Sequence, residues 1–307
     1  MKKVLVTGAT GLIGEKLCKL LTDNHIEPLV LSRRGGEFSK YRTFEWNLQA
    51  NYINESIFDE KIDAVVHLAG AGIADKRWTK SRKKEIIDSR VNGVELLAKY
   101  FAKMPLENRP KRFVSAAAIG IYGNAGEEWV DESTPIQSDS DSFLVQSCLE
   151  WEAASSVISD MGIPTALLRI GIVLAKEGGA LSKMLPSYKF GLGAYFGNGS
   201  QYYAWVHADD ICRMFLFLLQ RPDLTGVFNG VAPNPIRNKA LAGDIAKALG
   251  QKALLMPVPK FALQLAMGEM AVIVTDGARV RPKRLEALGY EFSFSNALDA
   301  LKDILND

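Results

Sequence analysis

Three cysteines, three histidines and a net charge of +2 in 307 residues leave several kinds of chemistry with little to work with. Cys18, Cys148 and Cys212 are an odd count without metal-like spacing. They exclude a disulfide framework and read as buried thiols of a reducing compartment. No His/Cys/Asp/Glu cluster has ligand spacing, so no metal is expected. Charge is nearly balanced, 37 Lys and Arg against 35 Asp and Glu. No basic cluster is dense enough to suggest nucleic acid. Long apolar runs are also missing. The most apolar late stretch, 261–274, is interrupted by Glu269 and is too short to span a bilayer. No membrane partner is expected, no signal-peptide pattern opens the chain, and a cytoplasmic location is the expectation.

What is present begins at residue 4. The apolar run Val4-Leu5-Val6 leads into Thr7-Gly8-Ala9-Thr10-Gly11-Leu12-Ile13-Gly14, and a helical pattern follows at Leu17, Cys18, Leu20 and Leu21. Strand, G-x-x-G-x-x-G and helix together form a dinucleotide cradle. Gly8 turns the chain off the strand, Gly11 lets backbone approach a pyrophosphate, and Gly14 lets the helix pack close to the sheet. The helix N-terminus offers free N–H groups and the positive end of its dipole. Gly8, Thr10, Gly11, Leu12 and Ile13 are the expected cofactor contacts of this loop.

Strand patterns at 3–7, 28–32, 64–68, 112–115 and 165–169 alternate with helical patterns at 11–24, 80–103 and 142–161. That alternation predicts an α/β fold, a Rossmann-type doubly wound parallel sheet with ligand at the carboxyl ends of the strands. Residues 1–170 are expected to form the NADP-binding Rossmann domain. Residues 171–307 form a smaller substrate-covering portion, with glycine-marked loops, helices at 207–220 and 238–249, and another near 261–274.

A dinucleotide fold that prefers NAD carries a carboxylate at the end of its second strand, where it accepts from the ribose 2′-OH. Here that strand ends Ser32-Arg33-Arg34. An arginine fork suits a phosphate. The expected cofactor is therefore NADP(H), with Arg33 and Ser32 at the 2′-phosphate and Arg34 assisting or stacking on the adenine. A charge-assisted contact is worth about 1.5–3 kcal/mol, which corresponds to roughly ten- to hundred-fold preference over NAD(H). The other reading of Arg33-Arg34 is a solvated loop.

These residues resemble the extended short-chain dehydrogenase/reductases. So do His67-Leu68-Ala69-Gly70-Ala71, Ser89-Arg90-Val91-Asn92-Gly93, Ile121-Tyr122-Gly123 and Trp205-Val206-His207-Ala208-Asp209-Asp210. Trp78, Trp151-Glu152, the run 168–174, Arg281-Pro282-Lys283-Arg284-Leu285 and Gly289-Tyr290-Glu291-Phe292 narrow the match. Together they resemble the atypical, YfcH-like "epimerase family" branch, which carries an extra C-terminal domain, here from about residue 255. The resemblance implies cofactor contact through Leu68, Ala69 and Gly70. It implies the same for Glu85 and Arg90, with Ile172 beside the nicotinamide; Glu85 could also be a plain surface charge. It further implies a homodimer through helices 80–103 and 142–161.

The superfamily works with Ser, Tyr and Lys, and alignment on Glu150-Trp151-Glu152 puts Ala117, Phe143 and Ser147 at those positions. No Tyr or Lys occurs between Asn124 and Met161, so a shift of one residue restores nothing. Tyr122 and His207 are the available acid/base groups, against packing for Tyr122 and helix capping for His207. His67 reads as a core histidine. Trp78, Tyr202, Tyr203 and Trp205 either line an apolar pocket or belong to the core. The expected function is an NADP(H)-binding oxidoreductase or epimerase-like protein acting on a small molecule, a sugar or a carbonyl compound, with Trp78, Tyr122 and His207 at the substrate. The alternatives are a protein that binds NADP(H) without turnover and a nucleotide-sugar epimerase.

Overall fold

In the computed structural model, which describes residues 1–33 and 40–306, the first half of the chain runs as the alternation predicts. It comprises β1 (Lys3–Thr7), α1 (Leu12–Asp23), β2 (Glu27–Ser32), β3 (Thr43–Asn47), β4 (Tyr52–Ile53), β5 (Ala64–His67), α2 (Lys80–Lys103), β6 (Phe113–Ala118), β7 (Trp129–Val130), α3 (Phe143–Asp160) and β8 (Thr165–Ile170). Then follow β9 (Ile172–Leu174), α4 (Gly179–Tyr188), β10 (Leu192–Phe196), β11 (Tyr202–Tyr203), β12 (Trp205–His207), α5 (Ala208–Gln220) and β13 (Gly226–Gly230). The remainder is β14 (Ile236–Arg237), α6 (Asn238–Ala248), β15 (Leu254–Val258), α7 (Lys260–Met267), α8 (Val272–Thr275), β16 (Arg279–Val280), α9 (Lys283–Ala287) and α10 (Ala297–Asn306).

Eight strands form the main sheet in the order β13-β8-β6-β5-β1-β2-β3-β4. All neighbours are parallel except β3 and β4. Successive side chains of a strand face opposite sides, and the packing follows this period. Val4 and Val6 join Leu17, Cys18 and Leu21 of α1 and Ile211 and Phe215 of α5. Leu5 faces the other way, with Val94, Leu97 and Phe101 of α2 and Ala154 and Ile158 of α3. Both faces are covered, which is why β1 and β5 read as continuous apolar runs.

The expected boundary near residue 170 is not where the sheet ends. β13 adds a strand beside β8, and α5 packs on α1. The covering portion is instead built from α4, α6 and α10 around Tyr188, Trp205 and Leu301. The single helix expected near 261–274 is also corrected. It is broken into α7, a 3₁₀ turn at Gly268–Ala271 and α8. Gly268 sits at φ +64°, a conformation that ends a right-handed helix.

His67 is fully buried at the end of β5. The Thr7 hydroxyl accepts from the backbone N–H of Leu68 and Ala69 at 3.2 Å each. Its own proton is then free to donate to His67 Nδ1, 2.9 Å away. Burial lowers the His67 pKa to about 4. Burial lowers that of His207 as well. The unfolded chain takes up these protons near pH 6.5 and the native chain only at lower pH. The stability that neutral His67 contributes is therefore complete above pH 6.5 and is lost as pH falls from there towards 4, at up to about 1.4 kcal/mol per pH unit, with His207 adding in the same direction. Urea unfolding at pH 7, 6 and 5 should show this decline, and His67→Phe should flatten it. An equal slope in the variant would assign the decline elsewhere.

Candidate cofactor and substrate cleft

The glycine loop lies between β1 and α1 at the carboxyl edge of the sheet. Gly8 has φ +71°, and a Cβ there would stand 2.8 Å from the Leu68–Ala69 backbone. The loop is thus pressed directly on the segment after β5. A Cβ on Gly14 would overlap the Gly8 carbonyl and come within 2.6 Å of Ala9 Cα, so the first turn of α1 docks against the loop. Gly11 caps α1 in extended conformation and supplies no side-chain acceptor. The first-turn N–H groups of a helix need partners from outside it, and this terminus has the layout that receives phosphate. Thr10 and Gly11 are exposed, and Leu12 and Ile13 are half-buried.

The segment after β5 is clamped to α2. Arg90 donates to the carbonyls of Ala71 (3.0 Å) and Ile86 (2.9 Å), and its side chain fills the space where Gly70 would carry a Cβ. The Arg90 guanidinium also stacks over Trp151 at 4.7 Å. The Ala71 N–H donates to Ser89 Oγ. Arg82, not singled out from sequence, donates to Gly72 O at 2.6 Å and pairs with Glu85 at 2.8 Å. Spacing hinted at it: Arg82 stands one turn before Glu85 and two before Arg90. Arg90 therefore supports the backbone at Gly70 and Ala71.

Arg33 is exposed just past β2, and Ser32 ends that strand in register with Glu45. Hydrogen bonding from Arg82 lowers the Glu85 pKa, with the charges of Lys76 and Arg33 adding. The Arg33 charge is thus felt at Glu85 across the space between β2 and α2. Arg34 lies outside the described residues.

Beyond β6 and β8 the expected catalytic positions hold no acid or base. Ala117 is buried beside Arg169 in register. The Ser147 hydroxyl donates to Leu144 O within its own helix. Phe143 meets Trp78 edge-to-face at 4.7 Å, and Lys83 Nζ lies 5.1 Å from the Phe143 ring centroid. Trp78 is fixed by its indole N–H to Ile73 O at 2.9 Å. Trp78 and Phe143 thus form an aromatic wall at the N-terminal end of α3.

Tyr122 belongs to a network. Its hydroxyl accepts from Arg169 at 2.9 Å and donates to Asn229 Oδ1 at 2.9 Å. Arg169 grips Glu152 with two bonds of 2.7 and 2.8 Å. Asn229 donates through its backbone to Glu132 and through its amide to Arg281 O. Burial raises the Tyr122 pKa despite Arg169, so the phenol stays protonated at neutral pH. Asn229 and Glu132 escaped the sequence reading because their partners lie about a hundred residues away. The only local signal was an amide inside an apolar strand.

His207 caps α5, its Nδ1 accepting from the Asp209 N–H at 3.1 Å. Its ring lies 4.2 Å from Phe294, and Nε2 is 3.2 Å from Asp303. Among the described residues it makes no hydrogen bond, ion pair or ring contact with Trp78 or Tyr122. It borders a small cavity of about 160 Å³ with Lys16 and Asp303. Ile172 follows β8 by two residues and is paired with Trp205. No group of three or more metal-ligating side chains occurs among the described residues. Nor is any helix among them long and apolar enough to cross a membrane.

Residues 4–229 match the NAD dependent epimerase/dehydratase family, and residues 258–304 match a domain of unknown function, DUF1731. The chain is 37% identical over 305 residues to the chloroplastic epimerase family protein SDR39U1 homolog of Arabidopsis thaliana, covering 98% of this chain and 86% of that one. It is 32% identical to the epimerase family protein YfhF of Bacillus subtilis, over 99% of this chain and 98% of that one. The human epimerase family protein SDR39U1, solved with NADPH, superposes with a TM-score of 0.87 at 32% identity over 99% of both chains. A UDP-N-acetylglucosamine 4-epimerase from Bacillus cereus shares the fold, with a TM-score of 0.77 at 20% identity over 99% of this chain and 98% of that one. By the matched span and these identities, the chain belongs to the NAD dependent epimerase/dehydratase family, in the epimerase family branch that ends in DUF1731.

Proposed function

We propose that this chain binds NADP(H) across the glycine loop and the Leu68–Gly70 segment, and acts as an oxidoreductase on a small molecule seated against Trp78 and Phe143. The observation that carries the cofactor reading is the sequence that ends the second strand, Ser32-Arg33, with an arginine and no carboxylate at the position that would accept from a ribose 2′-OH. The uncapped N-terminus of α1 suits the pyrophosphate. The related human protein was solved with NADPH. Bound NADP(H) supplies a hydride at its nicotinamide. Arg90 and Arg82 hold the backbone under the cofactor, and Glu85 balances Arg82 and Arg33. Trp78 and Phe143 present a flat apolar wall to the substrate, and that aromatic lining favours a substrate with a flat carbonyl or a sugar ring.

A second reading has its own support. With Ala117, Phe143 and Ser147 at the usual catalytic positions and both hydrogen-bonding roles of Tyr122 engaged, binding without turnover fits the polar groups of the cleft. Turnover that survives Tyr122→Phe and His207→Ala would remove both as acid/base groups. The working state we propose is cytoplasmic, with a homodimer through α2 and α3.

Titration of NADPH and NADH by nicotinamide fluorescence tests the cofactor assignment. NADPH is expected to bind about ten- to hundred-fold more tightly, and Arg33→Ala to erase most of that difference. Equal binding of both cofactors, or an unchanged ratio in the variant, would overturn it.

A further inference from the structure

Half of the most exposed large apolar side chains of the described residues come from two short stretches. Phe190 and Leu192 follow α4, Leu254 and Met256 lie on β15, and Phe261 and Leu265 lie on α7. β10 and β15 are parallel, with Leu192 opposite Leu254 and Ala194 opposite Met256. Gly193, between them, points inward against Tyr188 and Leu255. The outer face of this ribbon is therefore a continuous apolar strip. α7 starts two residues beyond β15, and Phe261 and Leu265, four apart, share one helix face. Phe190, Leu265 and Phe261 are 82%, 79% and 72% exposed.

The charge along these stretches is mainly positive. Residues 178–208 and 245–268 contain no Asp or Glu; they contain Lys183, Lys189, Lys247, Lys252 and Lys260, of which Lys247 is paired with Asp244 at 2.8 Å. The chain as a whole carries only +2, so the net positive charge of these stretches comes from their lack of carboxylates and is offset elsewhere. Protruding apolar side chains flanked by the exposed Lys189, Lys252 and Lys260 suit a surface that is anionic outside and apolar a few ångströms below. A second copy of this face would bring lysines against lysines.

We propose that this face docks on an anionic lipid bilayer, with Phe190, Phe261 and Leu265 entering the headgroup layer and the lysines meeting lipid phosphates. The contact is peripheral, and so compatible with the absence of a spanning segment, on which the expectation of no membrane partner rested. The face adjoins the cleft. Lys183 of α4 reaches Ala74 O, and Arg77 donates to the carbonyls of Leu265 and Ala266. Both contacts lie on the loop that carries Trp78, so a docked molecule would open its cleft next to the membrane.

Flotation of the full chain with vesicles tests this. The protein is expected to float with phosphatidylcholine vesicles containing one-third phosphatidylglycerol and to stay behind with phosphatidylcholine alone. Each lysine near an anionic surface is worth about five-fold. Lys189→Glu/Lys252→Glu/Lys260→Glu should weaken binding by at least about a hundred-fold, and Phe190→Ser/Phe261→Ser/Leu265→Ser should abolish flotation. Both variants should keep the parent's thermal midpoint. Failure to float with anionic vesicles, or flotation unchanged in either folded variant, overturns the proposal. So does a dimer in sedimentation velocity that the Phe190/Phe261/Leu265 variant dissolves, which would make the face a protein interface.

Discussion

Glu152→Ala is expected to destabilise the fold by about 3–5 kcal/mol, the range for a buried ion pair deprived of one partner. The reason lies in what remains. The Arg169 side chain is only 6% exposed, and Glu152 receives two of its donors at 2.7 and 2.8 Å. Without the carboxylate, a buried guanidinium keeps one side-chain partner, the Tyr122 hydroxyl. The loss should spread to Asn229, which Tyr122 bonds, and so to the edge strand β13. Urea unfolding of Glu152→Ala and of Glu152→Leu/Arg169→Met separates the effects. The double variant should recover much of the loss, because burying two apolar side chains avoids the desolvated charge. A loss below about 1 kcal/mol in the single variant would place this pair with ordinary surface bridges and dissolve the network account.

Gly14→Ala is expected to abolish measurable NADPH binding while costing about 1–3 kcal/mol of stability, as overpacking does. In an ordinary helix the same change would gain about 1 kcal/mol. Here the new methyl would run into the Gly8 carbonyl and the Ala9 backbone. Either α1 moves off the sheet or the loop moves off Leu68–Ala69, and in both cases the N–H groups of the first helical turn leave their place. A nicotinamide fluorescence titration and a thermal melt read the two effects separately. A variant that binds NADPH like the parent would show that the close approach of α1 to the loop is dispensable.

The parts of the fold that local pattern controls were legible in the sequence. β1, β5 and α2 fall within a residue of expectation, because two-face burial and helical periodicity leave continuous marks. The cradle was legible for the same reason: its three glycines each answer a local steric demand. What escaped depends on partners far along the chain. Nothing in Gly226–Gly230 announces a return to the main sheet; its place beside β8 is set by Leu168 and Ile211 closing on Gly230. The Glu152–Arg169–Tyr122–Asn229 chain likewise draws on α3, β8, the turn after β6, and β13. Arg82 carries no local signal because its task, holding the Gly72 carbonyl, is set by the loop's path. By sequence alone Tyr122 and His207 each admit two roles. The hydrogen bonds now show what the side chains hold: Arg169 and Asn229 for one, the Asp209 N–H for the other.

The central claim is that the end of β2 recognises a 2′-phosphate. Competition against bound NADPH by 2′,5′-ADP and by 5′-AMP isolates that contact, because the two fragments share the adenosine and its 5′-phosphate and differ in the one group Arg33 is assigned to. The account predicts that 2′,5′-ADP displaces NADPH at least about ten-fold more effectively than 5′-AMP, the lower bound for one charge-assisted contact. Equal displacement by the two fragments would contradict it.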